Sequence, residues 1–276
     1  LRTLIYTTLA LIAFAANSLL CRLALGETAI DAASFSTIRL ASGAVTLVAI
    51  SALSNRNNGV VIRGNWFSAA MLFLYAAAFS FAYLSLSIGA GALILFGGVQ
   101  TTMIVGAFFL GERPHALTWV GLLVAFAGLV YLVSPGLAAP SPVGSALMAV
   151  AGIAWGGYSL RGRGANHALF DTTSNFVRSV PLAAAVSLIT IQTYKLTAHG
   201  ILLAIISGAV TSGIGYVIWY AALKGLTATR AAMVQLAAPV LAAFAGVVFL
   251  SEDISFRLLI SAVLILGGIG LAVSRR

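Results

Sequence analysis

The chain has 276 residues, of which 61% are hydrophobic and 8% charged, against about 25% charged in ordinary soluble domains. No single soluble core hides that much apolar surface, so a polytopic, all-α membrane protein is predicted. The net charge of +9 comes from basic residues scattered singly between apolar blocks, with no basic helix, zinc-finger spacing or aromatic RNA motif; this speaks for membrane topology and against a nucleic-acid partner. A lone cysteine, Cys21, excludes an internal disulfide, and no Cys/His cluster has metal-ligand spacing, so neither metal nor cofactor is expected.

A bilayer core takes roughly 20 apolar residues as a helix. Ten such segments can be marked: 3–25, 34–53, 66–88, 90–110, 115–133, 143–160, 172–193, 199–222, 228–250 and 255–273. The first lacks a small-residue cleavage site and reads as a retained helix; it carries Asn17 among apolar neighbours. The second and seventh hold Arg39 and Arg178 a few residues inside their edges, where a long cationic side chain is expected to snorkel to the interface. In the third, Tyr75, Phe79 and Tyr83 recur every four residues and so share one helix face. The fourth combines Gln100 with the small-residue row Gly98, Thr102 and Gly106, which lets another helix approach closely.

The sixth segment adds the small pair Gly152 and Gly156 together with Trp155 and Tyr158, and the eighth clusters Tyr216, Trp219 and Tyr220. The ninth has Gln235, Pro239 and a second small row, Ala238, Ala242 and Gly246. Turn chemistry marks the joints at Asn55–Gly59, Gly111–Pro114 and Ser134–Pro142. The last of these, residues 134–142, is the expected linker between two halves.

Those halves repeat. From Gly98 onward the first half realigns with the second at an offset of 140 residues, pairing Gly106 with Gly246, Leu110 with Leu250, Glu112 with Glu252 and Gly128 with Gly268. Nearer the start of each copy the offset is 139, pairing Arg22 with Arg161 and Arg39 with Arg178. The repeats therefore span 1–133 and 143–276. With the amino end inside, ten Lys/Arg residues fall on the inner side and three (Arg22, Lys195, Arg257) on the outer, which places both termini in the cytoplasm. Five helices per copy is odd, so the second copy enters from the opposite face. Such inverted repeats are the build of transporters that alternate access around a site between the halves. The two matching small rows are expected to meet across the pseudo-twofold axis.

Aromatic side chains away from the interface, such as Tyr75, Trp155 and Tyr158, want polar partners. Packing is the plain account of them, and a wall around an apolar or aromatic solute is the functional one. Asn17, Gln100 and Gln235 divide likewise between interhelical hydrogen bonds and orientation of a zwitterion. All six acidic residues lie at or near helix ends, so no mid-membrane carboxylate is available for proton coupling. Facilitated passage or exchange is expected. The His-Glu-x-x-His or Ser/His/Asp set that a membrane-integral enzyme needs is missing, so no enzymatic activity is expected.

Ten helices in an inverted pair, with Gly111-Glu112 and Ser251-Glu252 after each copy's fourth helix, Gly121, Gly128, Gly267-Gly268 and Pro239, resemble the drug/metabolite transporter superfamily. The likeness is to its EamA-type exporters and covers the whole chain. Val99 stands where that family usually has a proline in the fourth helix. Within the family the chain is most similar to the YddG-type aromatic amino-acid exporters.

The resemblance implies a multi-pass protein of the bacterial inner membrane, held in lipid and exporting amino acids or related small metabolites. Its central cavity would be lined by helices 1, 3, 4, 6, 8 and 9. Asn17, Tyr75, Phe79, Tyr83, Gln100, Trp155, Tyr158, Trp219 and Gln235 lie on those helices and are the expected substrate-binding residues. Export of other metabolites or drugs is the alternative within the superfamily. Small multidrug-resistance relatives need a glutamate in the first helix, where this chain offers Asn17. Sugar-phosphate relatives need deep basic residues, and from sequence Arg39 and Arg178 look peripheral.

Overall fold

The computed structural model describes residues 2–26, 28–54, 64–109, 111, 115–136, 139–162, 167–226 and 234–273. Among them it is helical throughout: α1 (Arg2–Gly26), α2 (Ala32–Ser54), α3 (Trp66–Ala82), α4 (Ile88–Phe109) and α5 (Ala116–Val133). There follow α6 (Pro142–Gly162), α7 (Ala168–Ile189), α8 (Ala198–Leu223), α9 (Ala237–Leu250) and α10 (Phe256–Val273). Extended backbone is confined to one isolated antiparallel bridge, Ile30 with Leu196. Seven helices are long and apolar enough to cross a membrane, and α3 and α9 are shorter apolar helices. The polar start of α7, Thr172 to Asn175, is buried against neighbours. Large apolar side chains stand outward instead, among them Leu123, Phe126, Phe244 and Phe249, as a lipid-facing surface requires.

Local chemistry sets the ends. Asn65 caps α3 by accepting from the Ser68 amide at 2.8 Å, and Thr197 caps α8 by accepting from the Gly200 amide at 3.1 Å. The third helix stops at Ala82, six residues short of the expected 88, because Tyr83 to Ser87 turn the chain before α4 starts at Ile88. The cap of α4 comes from the other half of the chain: Glu252 Oε2 accepts from the Ile88 amide at 2.8 Å. A carboxylate suits the positive end of a helix dipole. The same carboxylate lies 3.6 Å from Arg22, and Arg22 donates to the Tyr83 carbonyl at 3.1 Å.

This gives the small-Glu motif a physical reason. Ser251 takes the left-handed conformation at φ 51°, Gly111 does so at φ 92°, and each turns the chain sharply after its helix. Glu112 itself, the joints 55–63, 112–114 and 163–166, and the start of the ninth segment at 227–233 lie outside the described residues.

One departure from regular helix stands out. Residues Ser207–Ile214 of α8 wind as π-helix. Gly208 there sits so tightly on α2 that an added Cβ would collide with Ser42 Oγ and the Arg39 carbonyl. Ser212 accepts from Arg39 Nε at 3.3 Å.

Helix partners follow a pattern. Helices α5 and α10 pair, α2 and α7 pair, and α4 touches α9; α3 on α6 is matched by α1 on α8, and α4 on α6 by α1 on α9. Adding five to both members of a pair, counting on from ten to one, returns another pair in the set. The expected contact between small rows is replaced, however. Gly98 faces Gly152 and Gly156 faces Thr102, so the α4 row packs on α6, while Ala242 of the α9 row packs with Ala15 of α1 and with Ile88 and Ala92. The rows serve neighbouring helices of the two halves rather than each other. Pairs such as Thr118 with Ala272, and Asn65 with Asn175, lie on the face that holds the first turn of α1 and the last of α10. Glu252 with Ile88 and Arg257 with Ser134 lie on the far face.

Candidate functional site

Between the helices lies a cavity of about 810 Å³. It begins at the bundle centre and widens toward the face of the chain ends, where Gly162, His167, Lys224 and Val273 rim it. The far face is packed shut by Tyr83, Leu86 and Ile88, all fully buried, with the Arg22–Glu252 pair across it. Among the described residues, the cavity reaches the face of the chain ends and is packed shut toward the other.

Aromatic rings form a large part of the wall. Tyr75 lies 5.5 Å from Phe79 and 4.9 Å from Trp155 between ring centroids. Trp155 stacks on Tyr158 at 5.6 Å and meets Tyr216 edge-on at 5.1 Å. Phe14 bridges Tyr216 and Trp219. Edge-to-face and offset pairs of this kind hold their rings at fixed angles, so the wall is a rigid apolar surface. Two phenols are tied outward by hydrogen bonds: Asn175 donates to the Tyr158 oxygen at 3.5 Å, and Thr172 donates to that of Tyr220 at 3.3 Å.

Of the nine residues singled out from sequence, eight line this cavity: Asn17, Tyr75, Phe79, Gln100, Trp155, Tyr158, Trp219 and Gln235. Tyr83 does not. The chain turns away after Ala82, and Tyr83 packs behind Phe79 at 4.8 Å, edge-on and fully buried on the sealed side. The amides also differ among themselves. Asn17 Oδ1 accepts from Ser207 at 2.8 Å and Thr211 at 3.3 Å, so its acceptor ties α1 to the π-helical turn. Gln100 Nε2 is buried without any hydrogen-bond partner.

Sequence reading missed the most polar feature of the wall. Arg39 does not snorkel: it is 2% exposed and lines the cavity. Its Nη2 donates to the Tyr75 hydroxyl at 3.2 Å. Its guanidinium lies 5.3 Å from the Tyr75 ring centre and 5.1 Å from that of Phe79, within cation–π range. Arg178, its counterpart in the repeat, is half-buried and lies off the cavity wall. Position in the segment made the two look alike; the π-helical turn of α8 separates them. Ser212 was likewise unmarked, because π-helix leaves little trace in composition beyond the Gly-Ser-Gly texture of 207–213.

No described residue of the cavity wall is acidic. Asp171 borders a smaller cavity of about 190 Å³ beside it, with Arg161 and Asn175. The described residues hold no cluster of His, Cys, Asp or Glu that could bind a metal ion. Chemically, the arrangement can enclose an apolar solute and hold it by a few oriented donors, which is the usual build of a small-molecule site.

A model of the EamA-like transporter family matches residues 142–274. An uncharacterized protein of Pseudomonas aeruginosa is 46% identical over 275 residues, covering 100% of this chain and 96% of that one. An uncharacterized transporter of Archaeoglobus fulgidus is 30% identical over 181 residues, 63% of each chain. Among solved structures, one protein crystal structure superposes with a TM-score of 0.65, covering 96% of this chain and 98% of that one. At 22% identity that likeness is of fold alone.

Proposed function

We propose that this chain is a multi-pass membrane transporter of the EamA-like family, whose model matches residues 142–274, and that it exports amino acids with aromatic or other apolar side chains. The observation that carries this reading is the cavity of about 810 Å³ walled by Phe14, Tyr75, Phe79, Trp155 and Tyr216. In it the rings hold the side chain, while Gln100, Gln235 and the donors around them orient the polar end. The likeness to aromatic amino-acid exporters read from the sequence points the same way.

The mechanism is alternating access. Helix pairs that map onto one another when five is added support two inverted five-helix halves, and such halves rock around a site between them. The described state opens toward the chain ends. With the Lys/Arg asymmetry placing those ends in the cytoplasm of a bacterial inner membrane, it is the loading state of an exporter. The acid-free cavity wall supports exchange or facilitated passage without proton coupling.

The test is counterflow. Purified protein in liposomes, preloaded with unlabelled phenylalanine, should take up labelled phenylalanine with no pH gradient imposed, faster than empty liposomes do. A panel of labelled amino acids then ranks side chains. Uptake that needs a pH gradient and collapses with a protonophore refutes the uncoupled mechanism, and a panel without preference for apolar side chains refutes the substrate class.

A further inference from the structure

We propose that Arg39 is the anchor for a substrate carboxylate, so that the cavity selects carboxylate anions on an aromatic or apolar body and the ammonium group of an amino acid is dispensable. This rests on reading the central cavity as the transport site.

The argument starts from what Arg39 lacks. Its Nε and Nη2 are used by Ser212 and Tyr75, and its faces rest on Tyr75 and Phe79. Nη1 is buried with no hydrogen-bond partner. No described cavity residue carries a negative charge. A guanidinium held in a membrane interior without a counter-ion is costly, and an open donor on it adds to the cost. Both are relieved by one ligand group, a carboxylate, whose two oxygens match the guanidinium fork.

Gln100 supports the same polarity from another helix. It lines the cavity, and its Nε2 is a second buried donor without a partner. An ammonium finds no equivalent welcome. The Asn17 acceptor is engaged by Ser207 and Thr211, and the nearby formal charge is positive. The empty site therefore has spare donors and a spare cation, and its complement is an anion. One cation flanked by two rings fits a single carboxylate beside an aromatic body better than a phosphate dianion, which is typically met by several basic groups.

Three compounds separate the possibilities: phenylalanine, phenyllactate (which lacks the amine) and phenylalaninamide (which lacks the carboxylate). Each is measured as a thermal shift of the purified full chain and as a competitor of labelled phenylalanine in counterflow. Phenyllactate should act at least as strongly as phenylalanine, and the amide should be weaker by about tenfold or more. Arg39→Gln should bring both acids down to the level of the amide, and Arg39→Lys should recover part of the difference. An amide as effective as the acids overturns the proposal using the wild-type protein alone, even if Arg39→Gln does not fold. So does an Arg39→Gln protein that keeps its preference for acids. Binding of phenyllactate without transport of phenylalanine would sink the amino-acid reading and leave the anion site standing; if neither acid binds, both fall.

Discussion

At the scale of single residues, position in the wall separates side chains that the sequence treats alike. Tyr83 and Phe79 lie on one helical repeat, yet Phe79 faces the cavity and Tyr83 is sealed behind it. Trp155→Ala should therefore weaken phenylalanine transport by about 1–3 kcal/mol of lost apolar contact, roughly tenfold or more in apparent affinity, and spare a small amino acid. Tyr83→Ala should instead lower protein abundance and reduce transport of every substrate equally. Transport of both substrates at matched membrane levels checks the pair, and an equal loss in Trp155→Ala would make that ring mere packing. The periodic aromatics and the buried amides were legible because helix periodicity and the cost of buried polar groups act locally. Arg39 was not legible. Its burial depends on α8, more than 160 residues away in sequence, and only the fold brings that helix onto it.

At the scale of elements, glycines decide how near two helices come. In the α4–α6 crossing a Cβ on Gly98 would lie 3.4 Å from the nearest atom, an ordinary contact, whereas one on Gly152 would lie 2.7 Å from the Leu95 carbonyl oxygen. Gly152→Ala should thus cost about 1–3 kcal/mol of stability by overpacking, and Gly98→Ala far less. Thermal unfolding of the two purified variants measures the contrast; equal effects would mean the helices separate freely. Helix existence was readable throughout, since roughly 20 apolar residues in a row leave little choice. Some ends were misread, among them those where a cap comes from a distant residue or a turn hides in apolar sequence. Tyr83–Ser87 is such a turn, and Glu252 on Ile88 is such a cap.

At the scale of the whole molecule, the cavity's opening coincides with the face of the two chain ends, so the compartment from which this state loads depends on which side that face occupies. The Lys/Arg asymmetry predicts the cytoplasm. Single cysteines introduced at Ser141 and at Gly164, in a Cys21→Ser background, should differ on intact cells: an impermeant thiol reagent labels the first and not the second. The opposite pattern would reverse the orientation and make this the state open to the outside. The repeat itself was readable because matched glycines and arginines survive at fixed offsets. Which surfaces the small rows cover was not, since a row of small residues says that a helix comes close and leaves open which one.

The π-helical turn of α8 also bears on the history of the repeat. In the repeat read from the sequence the offset changes from 139 at Arg39 and Arg178 to 140 at Gly98 and Ala238, which makes the second copy one residue longer within that interval. Ser207–Ile214 lies inside it, and a π turn is what a helix makes of one inserted residue. An insertion advances everything downstream by roughly 100° around the helix axis. Tyr216 and Trp219 follow the turn and face the cavity, while Ser212 within it meets Arg39. In the repeat read from the sequence, a difference of one residue would turn matched helices to different faces of the centre they share, and make an asymmetric site on a symmetric scaffold.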